Sequence, residues 1–97
     1  NLDTVKAGGI TEYRKISALA SAFHIPVAPH GSPHMAMHLL ASLDNALIME
    51  TYPAVESQHN LLLPLYPVKD GHVIVPETPG LGIDPDPELV EKYKIEN

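Results

Sequence analysis

Ile25-Pro26-Val27-Ala28-Pro29-His30-Gly31-Ser32-Pro33 is the stretch whose reading decides the fold. Residues 25–28 are a short apolar run with strand character. Pro26 belongs at the strand start, because a proline has no N–H to give to a central ladder. Pro29 to Pro33 then breaks the regular structure. Ser32 is a good helix cap and Pro33 suits a first helical position, so a helix is expected over roughly 33–43. Ser32 would serve the cap first and a ligand second.

The same alternation appears on both sides. Upstream, residues 1–7 read as a strand ending at Gly8-Gly9, a pair that permits a tight turn and close approach of backbone. Thr11 is the expected cap of the next helix, and Glu12 suits its positive end. Ile16, Leu19, Ala20 and Phe23 follow at helical spacing and predict one buried apolar face. Downstream, Asp44-Asn45 ends the second helix, and residues 46–50 form a third strand. Strand, helix, strand, helix, strand is the order that favours parallel pairing through right-handed crossovers.

Asp3, His30 and Glu50 each sit at or near one end of a short apolar run: Thr4-Val5-Lys6-Ala7, Ile25-Pro26-Val27-Ala28 and Ala46-Leu47-Ile48-Met49. If those runs are neighbouring parallel strands, a carboxylate, an imidazole and a second carboxylate meet at one rim. That set is a candidate proton-transfer site. Each residue also has a plainer reading. His30 could be an inert loop histidine, Asp3 a strand-edge aspartate satisfying a turn, and Glu50 the partner of an upstream lysine or arginine.

After residue 50 the character changes, which divides the chain into 1–50 and 51–97. Residues 51–71 are rich in Pro, Tyr and Leu and read as an excursion with little regular structure. Asp70-Gly71 is a hairpin signal between Leu65–Lys69 and His72–Val75. A proline-rich loop runs from Pro76 to Pro87. Asp86 caps a last short helix, with Pro87 at its first position and Glu88 in its first turn.

Composition bounds the function. A 97-residue chain with 44% apolar content can hold one small domain or a piece of a larger one. The formal charge of −6, without a basic cluster, argues against nucleic acid as a main partner. No apolar stretch approaches the ~20 residues needed to span a membrane. The sequence has no cysteine, so disulfides are excluded and a cytoplasmic setting is the natural expectation. No signal peptide is visible at the start. The opening at Asn1-Leu2-Asp3, inside a strand approach, reads as that of a truncated chain.

The remaining histidines fit bland roles. His34 and His38 would share a helix face and could bind zinc together, but His30 lies before Pro33 and outside that helix, and no HExxH pattern is present. His24 ends the first helix, where a cation suits the dipole. His59 and His72 read as surface or loop residues. Met35, Met37 and Leu39-Leu40 read as packing residues.

Asp3, Gly8-Gly9-Ile10-Thr11, Pro29-His30-Gly31, Glu50 and Pro79-Gly80-Leu81-Gly82-Ile83, in that order, resemble the C-terminal part of the mandelate racemase group of the enolase superfamily, the mandelate racemase/muconate lactonizing enzyme family. The likeness covers essentially the whole chain, and the separations of Asp3, His30 and Glu50 match that group. It implies an α/β fold, the C-terminal part of a modified TIM (β/α) barrel with its site at the strand ends. Asp3, His30 and Glu50 would end the sixth, seventh and eighth strands. Residues 51–97 would return to the capping domain. The expected Mg²⁺ would be bound by carboxylates on earlier strands, so the chain itself supplies no metal ligand.

The likeness also implies roles. His30 would be the base at the substrate carbon, or the acid that protonates a departing hydroxyl. Asp3 would accept from its other ring nitrogen and fix the tautomer. Glu50 would donate to a substrate carboxylate oxygen, with Gly31 and Ser32 lining the pocket. The implied parent is a lyase or isomerase of a hydroxycarboxylate: first an acid-sugar dehydratase, second a racemase or epimerase of a 2-hydroxy acid. Muconate cycloisomerase branches lack an Asp–His pair and fit less well. Expected partners are an acid-sugar or hydroxycarboxylate substrate, the N-terminal part of the same protein, and further copies in a homo-oligomer. Two non-enzymatic alternatives stand beside it: an interaction piece with open sheet edges, and a zinc module through His34 and His38.

Overall fold

The computed structural model describes residues 1–51 and 66–95, and the chain divides into two compact units, Asn1–Thr51 and Tyr52–Asn97. In the first unit the order is β1 (Leu2–Asp3), α1 (Ile10–Ala22), β2 (Pro29–His30) and α2 (Pro33–Ala41). β1 and β2 are parallel, with Leu2 opposite Pro29 and Asp3 opposite His30. A parallel bridge between Val27 and Ala46 adds a third extended run. The expected parallel alternation of strands and helices is therefore present.

The strands are shorter and set differently from the sequence reading. β1 stops at Asp3 because Asp3 turns the chain. Its Oδ1 accepts from the Val5 and Lys6 amides, each at 2.9 Å, and its carbonyl accepts from the Ala7 amide. Residues 4–7 are thus a turn and not a strand. The second paired stretch runs through Val27 to His30, not 25–28, so Pro29 and His30 belong to the sheet. Pro29 is tolerated there because the bond at that point runs from the Leu2 amide to the Ala28 carbonyl, which needs no N–H from proline. Of residues 46–50 only Ala46 forms a bridge, with the Leu47 amide donating to the Val27 carbonyl.

α1 starts after Gly9, not with a Thr11 cap, and has no side-chain cap; Glu12 in its first turn supplies the charge favoured there. It ends in a Schellman motif. The Ile25 and His24 amides return to the Ala20 and Ser21 carbonyls, and His24 takes the left-handed position at φ 57°. Its buried residues are Tyr13 and Ser17, with Ala20 packed beside them, whereas Leu19 and Phe23 of the predicted face are exposed. Both stripes have helical spacing, and spacing alone does not say which one meets the strands.

Tyr13, Val27 and Leu39 form the core, with Leu2, Ala20 and Leu43 against it. Burying an aliphatic side chain of this kind contributes about 1.5–3 kcal/mol. Met37 and Ala36 are also buried. Asn45 then ties the layers together. Its Nδ2 donates to the Ser17 and Ile25 carbonyls, and its own carbonyl accepts from the Val27 amide. Leu19, Phe23, Leu47 and Ile48 stay more than 60% exposed within this unit.

The second unit holds the hairpin β3 (Val68–Lys69) and β4 (His72–Val73) and the short helix α3 (Pro87–Lys92). Asp70 and Gly71 both have positive φ, as a tight two-residue hairpin turn requires. Asp86 caps α3 by accepting from the Glu88 and Leu89 amides. Most of the predicted excursion over 51–71, with Leu65 and His59, lies outside the described residues. No helix among the described residues is long and apolar enough to cross a membrane.

Candidate active site

Parallel pairing in register places Asp3 and His30 side by side at the carboxyl ends of β1 and β2. The His30 Nδ1 lies 2.9 Å from Asp3 Oδ2. The carboxylate is the inner partner: its side chain is 17% exposed and that of His30 is 47% exposed. Asp3 therefore has both of the roles between which its sequence left a choice. Oδ1 holds the turn and Oδ2 holds the ring.

That environment favours the ionised carboxylate. The Lys6 amide first, then the His30 ring, hold the Asp3 carboxyl below its ordinary value, against a smaller opposing effect of burial. A carboxylate fixed at Nδ1 accepts the proton on that nitrogen and leaves Nε2 to serve as the reactive one.

Glu50 joins from the third run. Its Oε2 accepts from the Gly31 amide at 3.0 Å, so it meets the loop that follows His30. Among the candidates, Asp3, His30, Gly31 and Glu50 are linked by hydrogen bonds into one cluster. Ser32 occupies the N-cap position of α2, but it is left-handed (φ 44°, ψ 53°) and makes no side-chain cap bond. The capping role expected of its hydroxyl is thus corrected: a side-chain cap goes with an extended backbone at this position, and Ser32 is left-handed instead.

Sequence reading offered Asp3 a turn role but did not identify the Val5 and Lys6 amides that it holds. The signal was Asp3 itself, since aspartate commonly closes a turn onto amides two or three residues on. It also missed Tyr13 and Thr4, which are fully buried, their hydroxyls without a hydrogen-bond partner among the described residues.

The described residues do not fit a magnesium site. Both Asp3 oxygens and Glu50 Oε2 are committed to the contacts above, and no group of three His, Cys, Asp or Glu among the described residues could hold a metal ion. His34 is buried, and His34 and His38 both engage in other interactions.

A parallel strand–helix–strand unit with polar side chains gathered at the carboxyl ends of its strands is the design of an α/β domain that binds ligands at that rim. The chain belongs to the Enolase C-terminal domain-like family, whose profile matches residues 1–89. It is 33% identical over 96 residues to the D-galactonate dehydratase family member ManD of Chromohalobacter salexigens, covering 92% of this chain and 24% of that protein. It is 34% identical over 100 residues to the D-xylonate dehydratase of Haloferax volcanii, covering 97% and 24%. A solved enolase from alpha proteobacterium bal199, with bound Mg, matches with a TM-score of 0.80 at 29% identity, over 93% of this chain and 24% of that one. An enolase of the mandelate racemase subgroup from Agrobacterium tumefaciens matches with a TM-score of 0.73 at 36% identity, over 88% and 25%. The chain thus spans about a quarter of the length of the curated relatives it matches.

Proposed function

We propose that this chain is the C-terminal catalytic part of an enolase-superfamily lyase that dehydrates an acid sugar. The observation that carries the reading is the cluster itself: an Asp–His pair at 2.9 Å on adjacent strand ends, with a second carboxylate reaching the same loop at 3.0 Å. Dehydratase relatives favour water loss over stereoinversion, with racemisation or epimerisation of a 2-hydroxy acid as the second reading.

In the proposed reaction a base takes the proton alpha to the substrate carboxylate. His30, its Nδ1 held by Asp3, presents Nε2 to the neighbouring hydroxyl and gives it a proton. The hydroxyl leaves as water, and the remaining enol becomes a ketone. Glu50 donates a hydrogen bond from a protonated oxygen to the substrate carboxylate while Oε2 keeps the Gly31 amide. Gly31 and Ser32 line the pocket beside the ring. Magnesium, present in the solved enolase from alpha proteobacterium bal199, would have to be held outside this chain.

The exposed Leu19, Phe23, Leu47 and Ile48 support a cover supplied by the rest of a longer polypeptide, since unpaired apolar patches on so small a unit mark an interface. In that reading residues 1–50 are the last strand–helix units of a TIM barrel. Residues 51–97 return toward the capping domain, and the assembled protein is a cytoplasmic homo-oligomer.

The test is water loss from a panel of acid sugars by the full-length polypeptide. One substrate should yield a 2-keto-3-deoxy acid, and His30→Asn should abolish it. Stereoinversion without water loss would overturn the dehydratase reading.

A further inference from the structure

We propose that Glu50 is a positioning residue for His30, acting through the Gly31 amide. The inference rests on the proposed site and adds a second task to the substrate contact given to Glu50 above.

The His30 ring is tethered at Nδ1 by Asp3, but a single tether lets the ring pivot. The rest of its placement comes from the backbone, and the backbone here is unusual. Gly31 (φ 63°) and Ser32 (φ 44°) are consecutive left-handed residues. Ser32 is not a glycine, so its conformation is strained, and its hydroxyl makes no capping bond that would offset the strain. Something outside the loop must hold that shape. The Gly31 N–H points across to Glu50 Oε2 at 3.0 Å, a contact between residues 19 apart in sequence.

The Gly31 nitrogen belongs to the same planar peptide as the His30 carbonyl. Fixing that N–H fixes the plane, and with it the direction in which the His30 side chain leaves the strand. The two carboxylates thus hold two ends of one residue, Asp3 the ring and Glu50 the peptide. The two tethers face the same loop: a Cβ at Gly31 would lie at ordinary contact distance, 3.5 Å, from Asp3 Oδ2. Shortening Glu50 should therefore disturb where Nε2 sits, even with no substrate bound.

The experiment uses the full-length polypeptide without substrate, labelled with ¹⁵N in glycine and histidine. Glu50→Asp keeps the carboxyl but withdraws it by one methylene. Glu50→Gln keeps the length and an oxygen that can accept. Gly31 amide exchange should quicken by about tenfold in E50D and stay within about threefold of wild type in E50Q. The His30 ring ¹⁵N signals should move in E50D and hold in E50Q. Unchanged Gly31 exchange in E50D, an equal acceleration in both variants, or His30 signals unmoved in E50D would each overturn the proposal. Should E50D not fold, wild-type Gly31 decides: protection of at least about 100-fold over a free amide supports the clamp, and a free-amide rate overturns it. None of these readings needs turnover, so failure of the dehydratase assignment would appear separately, as missing water loss with the clamp intact.

Discussion

Replacing Asp3 with asparagine changes one atom and should disable the site while preserving its shape. Asp3 accepts three hydrogen bonds: from the Val5 and Lys6 amides on Oδ1 and from the His30 ring on Oδ2, all at 2.9 Å. In D3N the amide oxygen can keep the two turn contacts. The amide NH₂ then faces His30 Nδ1 and forces that nitrogen to accept. The ring proton moves to Nε2, and without a carboxylate at Nδ1 the ring is no longer held as the imidazolium that gives the departing hydroxyl its proton. Loss of an outer partner that orients a histidine costs about 10–100-fold. A forced wrong tautomer in a comparable Asp–His pair costs on the order of 10⁴-fold. The fall in kcat for D3N should lie between those limits, with KM little changed because the substituted atom lies behind the ring. The assay is acid-sugar dehydration by the full-length polypeptide, paired with ¹⁵N shifts of the His30 ring to read the tautomer. A D3N enzyme within threefold of wild type in kcat, or an unchanged tautomer, would refute the reasoning.

Other positions make independent predictions. Because the Asp3 carboxyl is held below its ordinary 3.8, its ionised form is the one the fold favours. Its contribution is therefore complete above 3.8 and is lost as pH falls through the lower folded value; a carboxyl-carbon titration midpoint at or above 3.8 would contradict this. Gly82→Ala should be the most damaging glycine substitution in the second unit, since its Cβ would fall 2.5 Å from Pro76 and 2.7 Å from Thr78 Oγ1 at φ +68°. Thermal unfolding should show a loss of about 2–4 kcal/mol, from overpacking added to left-handed strain. Gly71→Ala, in open space at φ +77°, should cost only about 1–2 kcal/mol. Tyr13→Ala should cost about 3–5 kcal/mol as an aromatic core truncation. Tyr13→Phe should be neutral or mildly stabilising, because it removes a buried hydroxyl without a partner among the described residues.

The parallel alternation was legible because Gly8-Gly9, Pro33 and Asp44-Asn45 punctuate apolar runs of strand length. The clustering of the candidate residues was legible because three acid–base residues sit at corresponding places in that alternation. What stayed hidden depends on third-dimensional choices. Both Tyr13-Ser17-Ala20 and Ile16-Leu19-Phe23 have helical spacing, and only packing selects the first. The strand boundaries slipped because Asp3 turns the chain by its own side chain, which a run of Thr, Val, Lys and Ala does not announce. Ser32 follows good capping statistics, yet its left-handed backbone removes it from that role. Asn45 looked like a helix terminator and proves to be a three-way tie between α1, the approach to β2 and the third run.

The central claim is that Asp3, His30 and Glu50 serve one reaction centre. A crystal structure of the full-length polypeptide with an unreactive acid-sugar analogue tests it most directly. His30 Nε2 should lie within about 3.5 Å of the hydroxyl that would depart, with Nδ1 still on Asp3 and Glu50 at the analogue's carboxylate. An analogue bound away from the imidazole, or a ring turned off Asp3, would contradict the account.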